Sequence, residues 1–146
     1  RAAVEKLGNI HFWRLAIRPG RPLALGQIRR TPFIGLPGNP VAVMVTFMRL
    51  ARPALLGLAG CTDTEPHIFR VRSGFEYNKK IDRREWLRVR LTTDDDGIVS
   101  AEKFPRGGAG ILSSMVAADG LLELPEDLTR LEPGMMVDFL PFSEVS

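Results

Sequence analysis

Residues 31–60 constrain the fold more than any other part of the chain. A short apolar run, Thr31-Pro32-Phe33-Ile34-Gly35-Leu36, meets Pro37-Gly38-Asn39-Pro40, and a long apolar stretch follows. The run is predicted to be a buried strand, because it is short, apolar and closed by turn formers. Asn39 is a good N-cap, since its side-chain oxygen can accept from the first free N–H groups of a helix. Pro40 is a good first helical residue, since it lacks an N–H that would otherwise go unpaired. The helix is predicted over 40–58. Val41, Met44, Val45, Met48 and Arg52 recur at helical spacing on one side, and Val43, Phe47, Leu50 and Ala54 on another. A helix that is apolar on most sides is buried between a sheet and a second layer. Pro53 should kink or divide it, and Gly60 is placed to cap its C-terminus.

Upstream, Ile10-His11-Phe12-Trp13-Arg14-Leu15-Ala16-Ile17 is rich in strand formers and runs into Pro19-Gly20, a turn signal. A single strand over 10–17 would put Trp13, Leu15 and Ile17 on the core face and Phe12, Arg14, Ala16 and Arg18 on the other. Arg14 and Arg18 would then lie about 13 Å apart. Downstream of Cys61-Thr62-Asp63-Thr64-Glu65-Pro66, polar turn formers replace the helical pattern. Strands are predicted at 67–71, 86–91, 98–102, 121–124 and 135–140. Asp94-Asp95-Asp96-Gly97 is read as a hairpin turn, Glu132-Pro133-Gly134 as another turn, and 111–118 as a short helix. Short strands at this spacing point to a small β-barrel or sandwich. The chain thus divides near residue 60 into an α/β part, 1–60, and an all-β part, 61–146.

At 146 residues, the chain is long enough for one ordinary domain or two small ones. The charge is +3, carried by sixteen arginines and four lysines against 17 acidic residues. That excess is small, and no basic run is interleaved with aromatics, so nucleic acid is not an expected partner. No uninterrupted run of about 18 apolar residues occurs, so no membrane span is expected. The N-terminus lacks the basic-then-apolar order of a signal peptide. One cysteine, Cys61, excludes an intrachain disulfide and fits a cytoplasmic setting. The absence of an initiating Met reads as a piece of a longer protein.

Three features carry candidate chemistry. Gly35 to Pro40 lies between a strand and a helix. A helix N-terminus there offers N–H groups and partial positive charge to an anion, although the same loop is equally a plain tight turn. Arg14, Arg18 and Arg21 surround the Pro19-Gly20 turn. Guanidinium groups bind oxyanions bidentately and stay charged at ordinary pH. Alone they would read as a solvated strand edge, and the neighbouring helix start favours an anion site. Arg106-Gly107-Gly108-Ala109-Gly110 before a short helix could form an anion-binding nest, but it lacks the Lys-Ser/Thr ending of a P-loop. His11 and His67 have no second ligand at metal spacing, the three aspartates lack the closing Glu of a calcium loop, and Cys61 sits beside acidic residues that disfavour a thiolate.

The order Trp13-Arg14-Leu15-Ala16-Ile17-Arg18-Pro19-Gly20-Arg21-Pro22, then Gly26, then Gly35-Leu36-Pro37-Gly38-Asn39-Pro40-Val41 resembles the MoeA family. These are the molybdopterin molybdenumtransferases, to which gephyrin's C-terminal domain is similar. Gly108 to Ser114, Ala118-Asp119-Gly120-Leu121, Leu124-Pro125 and Pro133-Gly134 resemble the family's C-terminal β-domain. The resemblance implies that 1–60 ends a three-layer molybdopterin-binding α/β domain and that 61–146 is the separate β-domain. It implies molybdenum cofactor biosynthesis: a transferase that inserts molybdate into adenylylated molybdopterin and releases AMP, with magnesium ligands upstream of these residues, so that this stretch alone would be inactive. Arg14, Arg18 and Arg21 would take the place of family lysines around the anionic substrate. Pro37, Gly38, Asn39, Pro40, Gly108 and Ala109 would line the substrate pocket. A cytoplasmic homodimer is implied, with other cofactor-biosynthesis proteins as possible partners. A non-catalytic scaffold of the gephyrin type is the alternative. The chain departs from the family pattern at the three lysine positions, at Ala42 and at Ala109, where the family often has serine.

Overall fold

The fold is that of a computed structural model, which describes residues 2–104 and 115–145. The chain forms two compact units, 1–64 and 65–146.

In the first unit a short helix, α1 (Ala2–Glu5), leads into a strand, β1 (Gly8–Phe12). A two-residue strand, β2 (Ile17–Arg18), precedes the basic turn. Two further strands, β3 (Ala24–Ile28) and β4 (Thr31–Gly35), form a hairpin. The sheet order is β1-β3-β4, with both pairings antiparallel, from Gly8↔Ile28 and from Ala24↔Gly35. The helical stretch then runs from Pro40 to Leu58 as α2 (Pro40–Thr46), a π-helical segment (Phe47–Ala51) and α3 (Arg52–Leu58). The π turn has a plain cause. Proline has no N–H to continue an α-helical ladder, and the register slips just before Pro53, with Arg52 N donating to Phe47 O five residues back. Such insertions are the usual way a helix absorbs a misfit. The helix ends in a Schellman motif: Cys61 N donates to Leu56 O (3.0 Å) and Gly60 N to Gly57 O (3.0 Å). Gly60 takes φ +89° to allow it, a conformation that costs glycine little.

Several expectations change here. The single strand over 10–17 does not form. A bulge falls between Ile10 and Phe12, β1 stops at Phe12, and residues 13–16 are irregular. Trp13 is accordingly 38% exposed rather than in the core, and Arg14 and Arg18 do not share a strand face. β4 is half exposed rather than buried. The statement that no stretch suits a membrane also needs amending. Pro40–Leu58 is long and apolar enough by length and composition, although Arg49 and Arg52 interrupt it. Only 33% of that stretch is buried within the chain, and Met44, Phe47, Leu55 and Leu58 are exposed, so the helix is not enclosed on most sides as its composition predicts.

In the second unit five strands close into a barrel. They are β5 (Phe69–Ser73), β7 (Arg84–Thr93), β8 (Val99–Lys103), β9 (Gly120–Leu124) and β11 (Met136–Pro141). The order is β7-β8-β5-β11-β9, and β9 returns to β7 through the register Glu85↔Leu124 to Val89↔Gly120. Only β5–β8 is parallel, through Arg72↔Ser100 and Ser73↔Ala101. Closure removes the free edges that an open sheet would leave. A two-residue ribbon pairs β6 (Tyr77–Asn78) with β10 (Arg130–Leu131). Val89, Ala101, Leu122, Leu124, Leu131, Val137 and Phe139 form the core with Tyr77. The Asp94–Gly97 turn is present: Asp94 Oδ1 accepts from Asp96 N and Ile98 N, and Gly97 N donates to Asp94 O. Residues 115–117 are helical and Ala118 is not; residues 111–114 of the helix expected over 111–118 lie outside the described residues.

Candidate functional site

The loop after β4 and the start of α2 are built as the sequence requires. Asn39 is extended (φ −80°, ψ 127°), and its Oδ1 accepts from Val41 N (3.1 Å) and Ala42 N (3.2 Å). Its carbonyl accepts from Val43 N (2.8 Å), and Pro40 has no N–H to offer. The first turn of the helix therefore has its donors already engaged. A ligand here would meet the helix dipole, the loop N–H groups and the Asn39 amide nitrogen, not a row of free helical N–H groups. Pro37 is buried, while Gly38, Asn39 and Pro40 are exposed. A Cβ built on Gly38 would meet nothing within 4 Å, so the space beside it is open to a ligand.

The basic turn is held from both sides. Its Arg18–Pro19 peptide is cis, and Gly20 takes φ +104°. Arg21 O accepts from Leu15 N (3.0 Å) and Leu23 N (3.1 Å), which closes the loop over the fully buried Leu23. Gly20 is itself buried and sits against α2. A Cβ there would overlap Thr46 Cγ2 and would lie 3.7 Å from Ala42 O. Arg18 and Arg21, which flank Gly20, are exposed, as is Arg14 in the irregular segment before it. The turn and the helix that Asn39 caps are thus one packed assembly, with guanidinium groups at its surface. No carboxylate pairs with Arg14 or Arg21 among the described residues. Guanidinium groups without a carboxylate partner are suited to an oxyanion. Gly108 and Ala109 lie outside the described residues.

An open groove of about 520 Å³ lies elsewhere in this unit, between the hairpin and α3, with Phe12, Leu25, Phe33 and Leu58 among its walls. Its lining is apolar, so it does not suit an oxyanion. Among the described residues no group of three His, Cys, Asp or Glu side chains could hold a metal ion.

The barrel carries its charge differently. Glu85 is fully buried. Its Oε2 accepts from Tyr77 Oη (2.8 Å), and its Oε1 accepts from Arg83 Nε (2.9 Å) and Nη2. Lys79 Nζ donates to the carbonyls of Lys80, Glu126 and Leu128. Burial lowers the Lys79 pKa, and the nearby carboxylates of Glu85 and Glu126 oppose that shift. Arg84 bonds Glu123 (2.6 Å) and Glu126 (3.0 Å). The bond to Glu126 raises the Arg84 pKa and lowers that of Glu126. Trp86 Nε1 donates to the second oxygen of Glu123. Burial lowers the Arg88 pKa. This network ties strands together and leaves no reactive group. The sequence reading missed it, because Arg83, Glu85, Tyr77 and Glu123 look like alternating surface residues until the barrel closes.

A strand, a glycine-proline turn, a capped helix and an arginine turn packed on that helix make up a small α/β unit, joined in one chain to a closed β-barrel. Residues 70–142, half of the chain, match the model of the MoeA C-terminal region (domain IV), and residues 1–57 match that of a probable molybdopterin-binding domain. The chain belongs to the MoeA family. It is 29% identical to the molybdopterin molybdenumtransferase of Haemophilus influenzae over 99% of its length and 36% of that protein. It is 33% identical to the enzyme of the same name from Nostoc sp. over 86% of its length and 30% of that protein. Two crystal structures of the molybdopterin biosynthesis MoeA protein from Pyrococcus horikoshii superpose on it. Their TM-scores are 0.77 and 0.72 at 29% and 26% identity, covering 97% and 91% of this chain and 34% and 32% of theirs. The chain spans about a third of the length of the relatives it matches.

Proposed function

We propose that this chain supplies one wall of the substrate site of an enzyme that inserts molybdate into adenylylated molybdopterin and releases AMP. In this reading residues 1–60 end the molybdopterin-binding domain and 61–146 are the appended β-domain. The observation that supports it is the packing of Gly20 in the arginine turn on α2, the helix into which the Gly38-Asn39-Pro40 loop leads. Both expected ligands are anionic: molybdate is a dianion and the pterin substrate carries a pyrophosphate. Arg14, Arg18 and Arg21 would bind and neutralise them, most strongly where charge develops in the transition state. Pro37, Gly38, Asn39 and Pro40 would shape the loop on which the substrate rests, and Gly108 and Ala109 are further substrate-binding residues in this reading. Magnesium does not fit the described residues, which lack a cluster of acidic ligands. Its ligands would lie upstream of these residues. The same reading makes the protein a cytoplasmic homodimer that works beside other cofactor-biosynthesis proteins.

In the full-length protein, Arg18→Ala should lower molybdate-dependent AMP release by about 10-fold or more, the loss expected for one charge-assisted contact. Unchanged turnover would remove Arg18 from the site.

A further inference from the structure

Thr46 is a polar residue in the middle of an apolar helix, and it is fully buried. Its hydroxyl donates back along the helix to Ala42 O at 2.7 Å, with Val43 O at 3.2 Å. That bond satisfies the buried hydroxyl and, in a β-branched side chain, fixes the rotamer. The methyl group, Cγ2, is then held where the basic turn arrives. Any Cβ on Gly20 would overlap it, and Ile17 Cδ1 would lie 3.6 Å from the same point. The turn therefore touches the helix at a place where no atom can be added.

We propose that Thr46 is a positioning residue for the arginine turn. Its methyl group, locked by its own hydroxyl, seats Gly20 and so sets where Arg18 and Arg21 present their guanidinium groups. The inference rests on the reading of those arginines as anion-binding groups. Small displacements matter for such groups, since a shift of about 1 Å can cost a site two orders of magnitude. The hydroxyl does not touch the turn in this scheme. It acts only through the methyl group it orients.

The test compares variants of the full-length protein by KM for molybdate, kcat for AMP release and thermal midpoint. Thr46→Ser keeps the hydroxyl and removes the methyl group. It should raise KM about fivefold or more with little change in kcat or midpoint. Thr46→Val keeps a methyl group and removes the hydroxyl. It should lower the midpoint while leaving KM closer to wild type than Thr46→Ser does. Gly20→Ala should raise KM more than either, and Thr46→Ser in that background should recover part of the loss by making room. The seat is refuted if Thr46→Ser leaves KM within about twofold of wild type, or if Thr46→Val moves KM as far as Thr46→Ser does. The two readings separate cleanly. A silent Arg18→Ala overturns the arginine site itself, whereas a damaging Arg18→Ala beside a silent Thr46→Ser overturns only the seat.

Discussion

The two units of this chain handle charge in opposite ways. In the barrel, charged groups are drawn into the structure and paired. Glu85 has no exposed surface and takes hydrogen bonds from Tyr77 and Arg83, and Glu123 is shared between Arg84 and Trp86. In the α/β unit the arginines of the basic turn stay at the surface while the backbone beneath them is fixed by Leu15, Leu23 and the contact with α2. A buried pair satisfies itself and leaves nothing for a ligand. An exposed cation on a rigid turn does little for the fold and stays within reach of a solute. Charge is thus turned inward in one part of the chain and left at the surface in the other.

The contrast can be broken in order of expected effect. Leu122→Ala removes a fully buried side chain from the barrel core and should cost about 2–5 kcal/mol in urea unfolding. Arg83→Ala takes the paired cation from the buried Glu85 carboxylate and should cost about 3 kcal/mol; changing Glu85 to leucine in the same protein should recover much of that loss. If the double variant is as unstable as the single one, the pair is not the reason for the loss. Asn39→Ala removes the cap of α2 and should cost about 1 kcal/mol. Replacing Arg14 and Arg21 with alanine should change stability by less than about 0.5 kcal/mol while weakening molybdate binding, most visibly at low salt. A large stability loss there would erase the distinction between the units.

The smallest effect is a pH response. Glu126 has its pKa lowered in the folded chain by Arg84. The folded state therefore holds that proton less tightly than the unfolded chain. The stabilisation is complete above the ordinary value of 4.5 and is lost as pH falls through the depressed folded value. Glu126→Gln should flatten that part of the acid-unfolding curve and lower neutral stability by the same small amount. An acid limb identical in the two proteins would show that the pair contributes nothing.

Local chemistry made part of this architecture legible in the sequence. Asn39, Pro40 and Gly60 mark the helix ends because capping depends on neighbours along the chain. The Asp94–Gly97 turn is read for the same reason. β3 gives no such signal: Ala-Leu-Gly-Gln-Ile has little strand propensity, and it becomes a strand because β1 and β4 pair with it on either side. The strand expected over 10–17 failed where a bulge opposite β3 and the Leu15–Arg21 bond across the basic turn overrode a favourable composition. At the site, the residue types of the arginine turn and the loop were visible, but the Gly20–Thr46 contact joining them was not. Nothing in the spacing of residues 20 and 46 announces it.

The chain has two tryptophans, and they fall one to each unit. Trp13 is partly exposed beside the arginine turn, while Trp86 is buried in the barrel wall with its indole N–H on Glu123. Each unit therefore contains its own fluorophore in a distinct environment. Replacing one tryptophan at a time with phenylalanine would make the emission of the other a private record of its unit. Collisional quenching should then reach Trp13 and spare Trp86 until the barrel opens.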